Sequence, residues 1–204
     1  VGSKAIGNLT FSAGSVVSVL NLTVGWNRLS EGTLNINGAV TTGGRVYVGG
    51  EATNNDDAGA TGTLNISATG SLIVGSGNTE IGRDGAGFLT VDGGSYFQQQ
   101  NNLVLGQDGT DPDDCTGTAV FTNGATVNIG VAPGDATDLN MNKGTCSVTQ
   151  SGAATTVTVR RDLNFVDTTP NPSSYTLSGG TLNVNNDVDS RGGDQQDTFT
   201  VSGG

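Results

Sequence analysis

Residues 62–81 read GTLNISATGSLIVGSGNTEI, and three pairs inside this stretch decide the fold: Leu64/Ile66, Leu72/Val74 and Thr79/Ile81. The members of each pair stand two residues apart, so on an extended chain both side chains point the same way. The first pair has counterparts at Leu9/Phe11, Leu34/Ile36, Leu89/Val91, Ala119/Phe121, Val148/Gln150, Tyr175/Leu177 and Phe199/Val201. Their leading members fall at positions 9, 34, 64, 89, 119, 148, 175 and 199, a nearly constant period, and each pair is followed within four residues by glycine, from Gly14 to Gly203. A period of this size with glycine punctuation marks a solenoid.

The second pair has counterparts at Val17/Val19, Val127/Ile129, Val157/Val159 and Leu182/Val184, with weaker members near Val40 and Phe97. The third runs through Leu22/Val24, Val46/Val48, Leu103/Leu105, Leu139/Met141 and Leu163/Phe165 and fades at Val188. These spacings predict an all-β chain, a single-stranded parallel β-helix with three short strands per turn. Residues 1–204 form one solenoid domain of seven turns and the opening strand of an eighth. Its length is roughly 35 Å at the usual strand spacing, and right-handed coiling follows the preference of parallel crossovers. Thr10, Asn35, Asn65, Thr90, Val120, Thr149, Thr176 and Thr200 lie between the members of the first pairs and should form an outward ladder. Variable lengths gather in residues 49–63, 106–118 and 166–174, between the third strand of one turn and the first of the next, an edge that solenoids often use for binding.

Only 33% of the chain is hydrophobic and 34 residues are glycine, a supply suited to a narrow interior with many turns. Eight basic residues against 19 acidic ones give a net charge of −11, which argues against nucleic acid and anionic membranes as partners. No run has the length of a membrane-spanning helix, so no membrane insertion is expected. The chain opens at Val1 without a signal-peptide pattern and reads as mature or trimmed material.

The phrases Gly32-Thr-Leu-Asn-Ile-Asn-Gly38, Gly62-Thr-Leu-Asn-Ile-Ser-Ala68, Ile81-Gly-Arg-Asp-Gly-Ala-Gly-Phe-Leu-Thr-Val-Asp-Gly-Gly94 and Leu177-Ser-Gly-Gly-Thr-Leu-Asn-Val184 resemble the β-helix repeats of bacterial autotransporter passenger domains and of PEP-CTERM-sorted exoproteins. The resemblance spans nearly the whole chain. It implies a bacterial protein that is extracellular or at the cell surface, and it brings no catalytic residues with it.

Candidate sites are sparse. Cys115 and Cys146 are separated by close to one repeat and are expected to join neighbouring turns as a disulfide. With no histidine in the chain, a catalytic thiol would lack its usual base. Asp108, Asp111, Asp113 and Asp114 have the carboxylate density of a calcium loop, weighed against an acidic solvated one; calcium is the only cofactor considered. Asn8, Asn21 and Asn65 each begin an Asn-X-Ser/Thr triplet that could be glycosylated. Glycoside hydrolysis needs two carboxylates facing one groove, yet Asp56-Asp57 and Asp113-Asp114 fall in turns. Arg160 and Arg161 form the only adjacent basic pair, expected to serve as a salt bridge or loop anchor. No line of aromatics recurs at one strand position, which argues against a carbohydrate-stacking platform.

The expectation is a non-enzymatic extracellular structural protein of a cell surface or matrix, stacking head to tail on itself as a filament subunit. Two alternatives stand beside it. One is an adhesin or carbohydrate-binding module that meets surface glycans through the loop edge, and the other is a polysaccharide-active enzyme.

Overall fold

The computed structural model describes residues 6–26, 29–50, 59–107, 115–131, 135–165, 172–190 and 197–202. The first course contains β1 (Ile6–Phe11), β2 (Val16–Val19) and β3 (Leu22–Val24). The second and third contain β4 (Glu31–Ile36), β5 (Ala39–Thr42), β6 (Val46–Val48), β7 (Thr61–Ile66), β8 (Ser71–Val74) and β9 (Thr79–Ile81). The fourth and fifth contain β10 (Ala86–Asp92), β11 (Ser95–Gln98), β12 (Leu103–Leu105), β13 (Thr116–Thr122), β14 (Thr126–Ile129) and β15 (Leu139–Met141). The rest contain β16 (Thr145–Gln150), β17 (Thr156–Val159), β18 (Leu163–Phe165), β19 (Ser174–Leu177), β20 (Thr181–Val184), β21 (Val188–Ser190) and β22 (Thr198–Val201). Every third strand pairs in parallel, giving sheet A of eight strands from β1 to β22, sheet B of seven from β2 to β20, and sheet C of seven from β3 to β21. The chain is therefore a β-solenoid with three strands per course. Among the described residues no helix is long and apolar enough to cross a membrane.

Register follows the apolar pairs. Leu34, Leu64, Leu89, Ala119, Val148, Tyr175 and Phe199 stand opposite one another along sheet A, and the expected outward ladder from Thr10 to Thr200 lies between them, unbroken. Leu64, Ile66, Leu72, Val74 and Ile81 are fully buried, each contributing about 1.5–3 kcal/mol over an exposed position. A slip of one residue would turn all of them outward. In the first and last described courses the same positions are exposed, Leu9 at 54% and Val201 at 64%.

One strand departs from the hydrophobic reading. In β11 the inward residues are Tyr96 and Gln98, paired with Leu72 and Val74, and Phe97 faces outward. Gln98 is tolerated inside because all its polar capacity is used. Its Oε1 accepts from Tyr96 Oη and Thr79 Oγ1, both at 2.8 Å, and its Nε2 donates to the Gly77 and Gln100 carbonyls at 2.6 and 2.5 Å. Further along the rod, Tyr175 Oη donates to Gln150 Oε1 at 2.7 Å, repeating the device. Burial pushes the Tyr96 and Tyr175 hydroxyls well above the usual phenol range.

The turn from sheet C back to sheet A brings the backbones of successive courses into direct contact. The Gly49 amide donates to the Val24 carbonyl at 2.9 Å, and the Gly82 amide to Val48 at 2.7 Å, each reaching back one course. Gly62 and Gly87 lie directly on these bonds. An added Cβ at Gly62 would sit 2.3 Å from both the Gly49 nitrogen and the Val24 oxygen. Gly49 and Gly82 have φ of 78° and 71°, the left-handed region that glycine enters without steric cost.

Gly62→Ala should destabilise by about 3 kcal/mol or more, because backbone blocks the methyl on both sides. Gly7→Ala occupies the same column with nothing within 4 Å and should change stability by less than about 0.5 kcal/mol; paired thermal melts check both. The tyrosines set an alkaline limit. Their folded pKa lies above the ordinary value of 10.0, so above that pH the unfolded chain sheds protons that the folded chain keeps. Stability should be intact below about pH 10 and then fall by about 2.7 kcal/mol per pH unit for the two groups together. Their phenolate absorbance should appear only with unfolding.

Candidate functional site

Side chains capable of chemistry are mostly engaged in holding one course to the next. At the entrance to sheet C a column of asparagines and aspartates hands its side-chain oxygen to the backbone N–H of the equivalent residue one course on. Asn21 Oδ1 accepts from Arg45, Asn78 from Asn102, Asn102 from Asp138, Asp138 from Asp162 and Asp162 from Asp187, at 2.9 to 3.2 Å. Arg161 closes this column from outside, donating Nε to Asp138 Oδ1 at 2.6 Å and lying 3.4 Å from Asp162 Oδ2. The hydrogen bond to Asp138 raises the Arg161 pKa further. Arg161 is thus the salt bridge expected of it.

On the outer face of sheet C, Tyr47 and Glu80 stand opposite each other in register and both are buried. Arg83 pairs with Glu80 and lies over the Tyr47 ring at 6.0 Å, while Arg45 Nη1 donates to Tyr47 Oη at 2.8 Å. That bond, with Coulombic help from Glu80, raises the Arg45 pKa. The Glu80 carboxylate is therefore neutralised and covered.

The outer face of sheet B carries an open cleft of about 390 Å³. Ile73, Phe97 and Asn128 form its floor, in register on β8, β11 and β14. Gln99 and Val131 rim it, and Arg160 forms a wall whose aliphatic stem lies on Gly130, where an added Cβ would meet Arg160 Cγ at 2.5 Å. Arg160 Nε is buried and has no hydrogen-bond partner among the described residues. The sequence shows only a weak inward pair near Phe97, which the structure resolves as Tyr96 and Gln98, and it gives no sign of the cleft.

The other expected residues fall as follows. Asp108, Asp111, Asp113 and Asp114, with Asp56 and Asp57, lie outside the described residues. Among the described residues no group of three or more potential metal ligands gathers. Asn8 and Asn21 are exposed and Asn65 is half-buried, and each has a structural partner. Asn65 Nδ2 donates to Asn35 Oδ1 at 2.9 Å, Asn35 Nδ2 to Asn8 Oδ1 at 3.3 Å, and Asn21 caps Arg45. The Asn65 nitrogen that would carry a glycan is thus already engaged.

The cysteines require a correction. In this step of the solenoid Thr116 pairs with Thr145 and Gly117 with Cys146, so Cys146 stands two residues beyond the level of Cys115. Strand spacing and rise then separate the two Cα atoms by about 8 Å, outside the roughly 4.4–6.8 Å of a disulfide. Both are buried thiols. Cys115 Sγ donates to the Lys143 carbonyl at 3.1 Å, and Cys146 Sγ to Leu105 at 3.1 Å and Lys143 at 3.4 Å. Cys146 occupies the column of Gly62, Gly87 and Gly117 and ends it.

No protein-family model, curated protein or solved structure matches this chain. The fold and the placement of its side chains stand as the guide to function.

Non-reducing mass spectrometry of protein alkylated after denaturation should find both Cys115 and Cys146 modified. A mass lower by two hydrogens, with neither cysteine alkylated, would mean that the two strand ends move together by more than the register permits.

Proposed function

We propose that this chain is a non-enzymatic structural β-solenoid of a cell surface or extracellular matrix, whose courses serve to build an ordered rod. The observation that carries this reading is the fate of three buried acids among the described residues: Asp138 and Asp162 tie successive courses and Glu80 is neutralised under Arg83. An acid so committed is poorly placed to shuttle protons. The extracellular setting rests on the resemblance of the Gly-Thr-Leu-Asn phrases. The cysteines lend it no support as thiols.

Head-to-tail association through the first and last described courses is the mode of assembly proposed. The inward-facing Leu9 is 54% exposed in the first course, and the inward-facing Phe199 and Val201 are exposed on β22. Phe199-Thr-Val201 offers the same apolar, threonine, apolar order as Leu9-Thr-Phe11, so β1 of another copy could extend sheet A in the existing register. Sheet A has eight strands and its neighbours seven, so this docking leaves sheets B and C one strand short at the junction. Closing that gap requires either β1 or β22 to move aside.

Sedimentation velocity over a wide concentration range, with negative-stain electron microscopy, should show rods lengthening in whole-molecule steps. Val201→Lys, which places a charge in the inward column of the last strand, should hold the protein as a monomer. Monomer at every concentration for the parent would remove the assembly, and turnover of any neutral or acidic polysaccharide would overturn the non-enzymatic reading.

A further inference from the structure

We infer that the cleft on the outer face of sheet B binds a pyranose ring bearing a carboxylate, the unit of an acidic polysaccharide. Three features on successive courses converge there. Ile73 and Phe97 give a flat apolar strip, Asn128 and Gln99 offer amides at its edge, and the Arg160 guanidinium stands over one side. A sugar presents the complement of this set: C–H groups on a ring face, hydroxyls around the rim and, in a uronic acid, one carboxylate at a ring carbon. Small-ligand sites have this make-up, mostly apolar with a few placed polar groups, and a volume of about 390 Å³ falls in their range.

Arg160 selects for the acid. Its Nε is buried and has no hydrogen-bond partner among the described residues, so no side chain there compensates the guanidinium charge that lines the cleft. Guanidinium binds carboxylate through two parallel bonds, which fixes the plane of the ligand as well as its charge. Among the described residues no acidic side chain lines the cleft, and the nearby Asp135 carboxylate accepts from the Val131 amide at 2.8 Å. The neighbouring arginine differs on this point, since Arg161 is already spent on Asp138 and Asp162. A net charge of −11 repels polyanions in general, so retention of one here depends on a built contact. The stem of Arg160 is held against Gly130, which limits its rotamers before a ligand arrives and lowers the entropy lost on binding. This surface is distinct from the edge between sheets C and A where the loop lengths vary, and binding there leaves both ends of the rod open for stacking.

The test is isothermal titration of the parent protein with trisaccharides of galacturonate, glucuronate and mannuronate, each beside its methyl ester, with acetate as competitor. At least one uronate should bind, and its ester should bind about tenfold more weakly or worse, the scale of a lost charge-assisted hydrogen bond. Arg160→Met keeps the stem over Gly130 and should weaken binding by a similar factor. Phe97→Ala should weaken it by about fivefold or more through loss of the ring platform. Both variants should keep the parent melting temperature, because neither residue lies in the interior. The inference fails if no uronate binds at millimolar concentration, if ester and acid bind alike, or if Arg160→Met binds like the parent. It also fails if acetate displaces the sugar at equal concentration, which would reveal an anion site with no recognition of the ring.

Discussion

The solenoid depends on a backbone hydrogen bond with no side chain near it. At the return from sheet C to sheet A, the Gly49 amide reaches the Val24 carbonyl of the preceding course, and Gly62 lies flat on that bond. The arrangement repeats at Gly82 and Gly87 and again at Gly106 and Gly117. Because two backbones touch here, the corner closes tightly and the three sheets enclose an interior only as wide as the inward pairs can fill. A chain that is one third hydrophobic can therefore still build a dry core. At Cys146 the column of glycines ends, and the sulfur takes up the room on the Leu105 carbonyl.

How much of this was legible follows from what each residue type can signal. Inward pairs such as Leu64/Ile66 announce themselves because period-2 alternation has few other causes, and the sheet registers follow them nearly everywhere. The asparagine and aspartate column does not, although Asn21, Asn78, Asn102, Asp138, Asp162 and Asp187 all directly precede a third pair. The same residues are the commonest in turns, so the background hides the signal. Phe97 misled for a different reason. Hydrophobicity alone favours it over Gln98, and only the register reveals four hydrogen-bonding groups waiting for that amide. The cysteines failed on arithmetic, since the local repeat that pairs Thr116 with Thr145 is two residues shorter than their separation.

The cleft shows a limit of another kind. Its residues come from courses three to six, and most of them lie too far apart in sequence to form a motif. Ile73, Phe97 and Asn128 become neighbours only once sheet B is assembled, and Arg160 joins them from the end of β17. Solenoids build surfaces from residues one repeat apart, so chemistry on them is spelled across the period and not along it. The proposed ring site and the outward threonine ladder are both of this type.

The asparagine and aspartate column has one gap, at Arg45, whose side chain can donate and cannot accept. Between courses two and three side-chain ties remain on the face of sheet A and its following turn, where Asn65 Nδ2 reaches Asn35 Oδ1 at 2.9 Å and Thr69 Oγ1 reaches the Asn37 carbonyl at 2.9 Å. Each tie works like a dowel between stacked plates, resisting slip in the plane where the parallel sheets alone would allow it. With dowels on both faces between courses one and two and on the sheet A side between courses two and three, the plates keep both their rotation and their offset. Columns on the outside then stay in phase along the rod, and a long, regular partner would meet the same spacing at every course.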